Sequence, residues 1–129
     1  MSAIILFAHG ARDPEWARPL QRLRAAILSS VPDADVRLAF LEFMTPTLAE
    51  ALDAVAASGA GHVDVIPVFL AQGGHVKRDV PLILQAARER HPVLRINLHE
   101  ALGETQQVID AMACCVLDAT LPLPPLGAA

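Results

Sequence analysis

A single α/β domain, a three-layer sandwich around a four-stranded and mostly parallel sheet, is the fold class this sequence predicts. Two observations predict it. Short apolar runs alternate four times with stretches whose apolar residues recur at helical spacing, the order expected of strands joined by crossover helices. The length of 129 residues matches one domain of about 100–200 residues and suffices for one ordinary core without staples.

Each element has its own signal. Residues 4–8 form a continuous apolar run (Ile4, Ile5, Leu6, Phe7, Ala8), as in a strand covered on both faces. After a turn over residues 10–14, Trp16, Leu20, Leu23 and Ile27 recur at helical spacing among Arg18, Gln21, Arg22 and Arg24, so one side is buried and the other wet. Pro32 and Asp33 break that helix, and residues 36–40 read as the second strand. Thr45 followed by Pro46 reads as an N-cap with proline at the first helical position, ahead of Leu48, Leu52 and Val55. Gly59 stops the second helix. Residues 63–69 are the third strand, and residues 70–75 a loop. Val80, Ile83, Leu84 and Ala87 mark a third helix that ends before Pro92. Residues 94–98 alternate, which predicts a fourth strand with a wetter face near an edge. Val108, Met112 and Cys115 carry a last helix from about residue 104 to residue 120. The domain thus spans residues 1–120. Residues 121–129, rich in Leu and Pro, cannot continue the helix and form a tail.

Composition excludes several functions. Ten Lys and Arg against fourteen Asp and Glu leave a net charge of −4, with a pI near 5.6. No basic stripe is present to neutralise phosphates, and four Phe, one Trp and no Tyr are few for stacking bases in series. Nucleic acid is therefore not an expected partner. A mean hydropathy of +0.41 is high, yet no apolar run approaches the roughly 20 residues that span a bilayer. The first residues lack the basic start of a signal peptide. A cytoplasmic protein without membrane contact is expected. Cys114 and Cys115 are adjacent, which suits neither a disulfide framework nor zinc spacing. They are expected to pack as small apolar side chains inside the last helix.

In an open parallel sheet, ligands bind beyond the carboxyl ends of the strands. His9 follows the first strand, Glu42 the second, and Gly73, Gly74 and His75 the third. Taken singly, His9 reads as a hydrogen-bonded structural residue and Glu42 as a solvated loop acid. Their joint placement with His75 argues for a shared site, because two imidazoles and one carboxylate suit Co²⁺, Fe²⁺, Ni²⁺ or Zn²⁺. His62 and His91 lie beside turns and read as surface residues, and His99 is an outer candidate. Lys77, Arg78 and Asp79 read either as a helix start, with Asp79 favourable at its N-terminus, or, with Arg12, as a basic rim for an anionic ligand. No phosphate-cradling glycine loop and no nucleophile elbow exists, so no nucleotide cofactor is expected.

The motifs together carry a resemblance. His9-Gly10-Ala11-Arg12-Asp13-Pro14, Phe40-Leu41-Glu42 with Pro46 following, and Pro67-Val68-Phe69-Leu70 running into Gly73-Gly74-His75-Val76-Lys77-Arg78-Asp79 resemble the CbiX-type sirohydrochlorin chelatases. Leu102-Gly103-Glu104 is similar to that family's last common segment. The resemblance implies a flavodoxin-like fold and ATP-independent insertion of Co²⁺, Fe²⁺ or Ni²⁺ into a modified tetrapyrrole. It implies metal binding by His9, His75 and Glu42; for such a substrate the basic rim of Arg12, Lys77 and Arg78 and the small Gly73 and Gly74, which leave room for a flat macrocycle, are the expected substrate-binding residues. The chain has the length of the family's short form, which implies a homodimer. Ala11 stands where the family usually has Ser, which removes a hydroxyl beside His9. That departure favours, as the alternative, a non-catalytic carrier of metal or tetrapyrrole on the same site.

Overall fold

The structure is a computed structural model that describes residues 1–120; the predicted tail, residues 121–129, lies outside the described residues. Four strands, β1 (Ser2–Ala8), β2 (Asp35–Phe40), β3 (His62–Pro67) and β4 (Arg95–Leu98), form one sheet in the order β2-β1-β3-β4. All three pairings are parallel. The helices are α1 (Arg18–Ser30), α2 (Leu48–Ala57), α3 (Gly74–Arg90) and α4 (Gln106–Thr120), with 3-10 turns at Pro14–Ala17 and Leu102–Glu104. The α/β fold with its parallel sheet is the one expected, and β4 lies at an edge. No helix among the described residues is long and apolar enough to cross a membrane.

The alternation of β1 sorts its side chains between two cores. Ala3, Ile5 and Phe7 join Val63, Val65, Leu52, Val55, Val80 and Leu84 beneath α2 and α3. Leu6 and Ala8 join Val36, Phe40, Ala17 and Leu20 beneath α1. Burying one such Leu or Val is worth about 1.5–3 kcal/mol, and β1 contributes to both layers at once. The chain runs from β1 to β2 on one side and then crosses back to β3 on the other. The switch point of the sheet therefore lies at the carboxyl ends of β1 and β3.

Four expectations need correction. Trp16 does not join the first helix or its core: it sits in the 3-10 turn at Pro14–Ala17 and is 42% exposed. Thr45 is not the cap of α2. Thr47 is, its hydroxyl accepting from the Glu50 amide while the Glu50 carboxylate accepts from the Thr47 amide, a capping box that satisfies two orphan donors; the Thr45–Pro46 peptide is cis. The third helix begins at Gly74, so Gly74 and His75 are helical rather than the end of a loop, while Lys77, Arg78 and Asp79 lie in its first turns as the helix-start reading had it. Gly73 occupies its N-cap with no side chain to announce it, and Pro81 is carried inside the helix. Last, α4 buries none of its residues; its main contact is the 3-10 turn before it. Cys114 and Cys115 are free thiols and exposed, and Met112 is 39% exposed.

Candidate metal and substrate site

Strand pairing beyond the formal ends of the strands builds the site. The Leu41 amide donates to the Ala8 carbonyl at 3.0 Å and the Glu42 amide to the His9 carbonyl at 3.0 Å, so the β1–β2 ladder continues through both candidate residues. Gly10 makes this possible. Its φ is +97°, and a Cβ there would stand 1.9 Å from the Glu42 carbonyl oxygen. On the other side of β1 the Val68 amide donates to the Phe7 carbonyl at 2.7 Å, which brings Phe69 to the switch point. The Phe69 ring meets Phe7 edge-on with centroids 5.6 Å apart, and His9 edge-on at 6.5 Å.

His9 Nε2 and Glu42 Oε2 lie 3.7 Å apart, with the two side chains 47% and 39% exposed. That is too long for a hydrogen bond. Two donors on one tetrahedral ion, each at about 2.0–2.1 Å, stand about 3.3 Å apart, so a shift of a few tenths of an ångström lets both reach one ion. His75, near the start of α3, has its Nε2 3.2 Å from Asp79 Oδ2, an i,i+4 pair on one side of the helix. Among the described residues no three His, Cys, Asp or Glu side chains converge closely enough to hold an ion. The structure thus brings together His9 and Glu42, and gives His75 a carboxylate partner of its own. Asp79, read from the sequence as a helix-start acid, is a functional candidate that the sequence reading missed. Its signal, the four-residue spacing from His75, becomes visible once the helix is known to begin at Gly74.

Gly73 and Gly74 face open space, since a Cβ on either would meet nothing within 4 Å. The neighbouring Leu70 is held from behind: the Gly103 amide donates to the Phe69 carbonyl at 2.8 Å, and a Cβ on Gly103 would lie 2.3 Å from Leu70 Cα. Lys77 and Arg78 are exposed and take part in no ion pair among the described residues. The Arg12 guanidinium lies 4.8 Å from the centre of the Phe43 ring. These two residues line a groove of about 900 Å³ with Phe40 and Met44, beside rather than including His9 and Glu42.

The remaining histidines are engaged elsewhere. His91 Nε2 lies 2.7 Å from Asp53 Oδ1, with Arg90 donating to the same oxygen at 3.0 Å. His99 Nε2 lies 2.8 Å from Asp64 Oδ1, Asn97 donates to that oxygen at 3.1 Å, and His62 Nε2 stands 3.6 Å away. These hydrogen bonds, from His91 foremost for Asp53 and from His99 foremost for Asp64, hold both carboxyls below the ordinary value of 3.8 despite the opposing effect of burial.

A family model described as CbiX matches residues 3–119. The sirohydrochlorin cobaltochelatase of Methanopyrus kandleri is 36% identical over 84 residues, covering 65% of this chain and 59% of that protein. The enzyme of the same name from Saccharolobus islandicus is 40% identical over 84 residues, covering 65% of this chain and 64% of its own length. The match therefore spans less than two thirds of these relatives. Among solved structures, a CbiX protein from Marinobacter aquaeolei superposes with a TM-score of 0.80 at 28% identity, covering 92% of this chain and 97% of that one. The sirohydrochlorin chelatase SirB from Bacillus subtilis subspecies spizizenii, in complex with cobalt, gives 0.72 at 27% identity, covering 91% of this chain and 50% of that one.

Proposed function

The chain belongs to the CbiX family, and from that premise we propose that it inserts Co²⁺ or Fe²⁺, and on the same donor set Ni²⁺, into sirohydrochlorin or a closely related tetrapyrrole without nucleotide hydrolysis. The observation that carries this reading is the pair His9 and Glu42, set 3.7 Å apart by the extended β1–β2 ladder at the switch point of the sheet.

The chemistry asks for a loose site. The ion is a substrate, which must be stripped of water, held, and then released to four ring nitrogens. Neutral imidazole at His9 binds a borderline cation without adding charge. Two protein donors leave positions open for water and for incoming pyrrole nitrogens. His75 supplies a further imidazole, with Asp79 orienting its ring in the way carboxylates orient metal-binding histidines. Metallation also releases two pyrrole N–H protons, and Glu42, partly exposed and next to His9, accepts them one after the other and passes each to solvent. The macrocycle carries several carboxylates. Arg12, Lys77 and Arg78 give them a local cationic rim on a protein whose net charge is −4, and the open space at Gly73 and Gly74 admits a flat ring.

The site is completed by a second copy of the chain. Ile109, Met112, Val116 and Leu117 on α4 are 39% to 60% exposed, at spacings that place them along one side of the helix. An unroofed apolar stripe of this kind marks an interface, and a twofold homodimer is the simplest closed arrangement. Two such chains would supply two walls for the macrocycle where one supplies a single wall.

Anaerobic mixing of the purified protein with metal-free sirohydrochlorin and each of Co²⁺, Fe²⁺ and Ni²⁺, followed by absorbance, tests the reading. Turnover above the spontaneous rate is expected, with His9→Ala and His75→Ala each losing at least a hundredfold of the enhancement while keeping the wild-type circular dichroism, and Glu42→Gln losing less. Tight tetrapyrrole binding without turnover would instead make the chain a carrier, and near-wild-type turnover in both histidine variants would remove them from the site.

A further inference from the structure

Phe43 follows Glu42 directly, and its backbone is left-handed, with φ of 66°. Among the described residues it is the one non-glycine residue with positive φ. A bulky side chain in that region is a genuine outlier, and the demands of the turn alone would be met better by Gly, Asn or Asp. Nor does the hydrophobic core repay the strain, because the side chain is 58% exposed. The ring instead lines the groove of about 900 Å³ together with Arg12, whose guanidinium lies 4.8 Å from its centre. Arg12 itself takes part in no carboxylate ion pair among the described residues. Backbone strain, an exposed aromatic ring and an unspent cation coincide one residue from Glu42. Residues held in such strained backbone cluster at active sites and ligand clamps.

We propose that Phe43 is a substrate-gripping residue: it lays aromatic surface against the tetrapyrrole macrocycle and, through its stacking with Arg12, presents that guanidinium to a peripheral carboxylate. The groove volume lies within the range of small-molecule sites, and a flat polycarboxylate matches an aromatic surface beside a cation that no carboxylate among the described residues neutralises. The inference rests on the tetrapyrrole reading given above, and adds to it the residue that holds the ring while His9 and Glu42 act on the ion.

Three variants test it in the metal-insertion assay, each with its melting temperature measured alongside. Phe43→Asn accepts left-handed backbone more readily, so it should melt at or above the wild-type temperature while KM for the tetrapyrrole rises about tenfold, the scale of one lost aromatic stacking contact, and kcat changes less than twofold. Phe43→Leu should share the rise in KM, because it keeps bulk and loses the aromatic face. Phe43→Tyr should restore wild-type KM. If Phe43→Asn lowers the melting temperature by more than about 5 °C and leaves KM unchanged, the ring serves the fold and the proposal fails. Wild-type protein that turns over with KM unaffected by all three substitutions overturns this inference alone, whereas wild-type protein that neither binds nor metallates the tetrapyrrole overturns the functional reading and this inference with it.

Discussion

On one face of the sheet, Ile5, Phe7, Val63 and Val65 are shut from solvent beneath Leu52, Val55, Val80 and Leu84. On the other face α1 roofs β1 and β2, while β3 and β4 present His62, Asp64, Asn97 and His99 to water. The same four strands therefore have one closed side and one half-open side. The difference shows where stability is made and where it is not: α2 and α3 hold the fold, and α4, which follows β4 and could have roofed the open half, buries none of its own residues. A helix that does not serve its own core is free to serve another molecule.

The contrast can be broken most decisively in the cores themselves. Leu52→Ala on the closed side, where the side chain is fully buried, should cost about 2–5 kcal/mol in urea unfolding. Leu23→Ala on the α1 side, where the residue is only partly buried, should cost about 1 kcal/mol. Equal losses would mean that the two faces carry equal weight. A second measurement separates fold from assembly. The wild type should sediment at twice 13.7 kDa, and the triple substitution Ile109→Ser, Met112→Ser, Val116→Ser should sediment as the monomer, with only the concentration-dependent part of the unfolding free energy lost and the rest changed by less than about 1 kcal/mol. A loss above about 3 kcal/mol without a change in mass would place α4 on its own sheet and erase the contrast.

The smallest effect concerns the polar half of the open face. The Asp64 carboxyl is held below its ordinary value by the hydrogen bond from His99, then by that from Asn97 and by the nearby His62. A carboxyl depressed in the folded state stabilises above its unfolded pKa, and that contribution is lost as pH falls through the folded pKa. Stability should therefore drop as pH falls below about 4. Asp64→Asn should flatten that limb by less than about 1 kcal/mol, since its histidine partners are exposed and solvent screens the pairs in part. An acid limb identical in both proteins would show that the cluster contributes nothing to the face it occupies.

The sequence displays what local chemistry controls and hides what tertiary contact controls. The apolar run of β1, the helical spacing over Leu20, Leu23 and Ile27, and the order of the elements were legible, and with them the arrival of His9 and Glu42 at one edge of the sheet. The 3.7 Å between them was not, because it depends on ladder hydrogen bonds that continue past the strand ends and on a glycine whose missing Cβ permits them. The pairing of His75 with Asp79 was hidden by Gly73 and Gly74, which read as loop although the helix starts there without a capping side chain. The apolar stripe of α4 is written the same way whether its own sheet or a second molecule covers it, so Cys114 and Cys115 were expected inside and lie outside. Phe43 carries no sequence signal at all, since nothing in the composition of a loop announces a bulky residue at positive φ.

The central position of β1 has a consequence for the chain as it is made. β1 precedes the other three strands in sequence, yet it is flanked on both edges by later ones, and its second partner, β3, begins only at His62. At a synthesis rate of about 5–20 residues per second, the interval between them is about 3–12 s. Throughout it Ile5, Leu6 and Phe7 belong to a strand with at least one unsatisfied edge, and parallel strands have no tight hairpin with which to close it early. The residues most deeply buried in the finished sheet are thus those that wait longest for cover, and the nascent chain is most exposed to chaperones and to its own neighbours on the ribosome during the seconds before His62–Pro67 emerges.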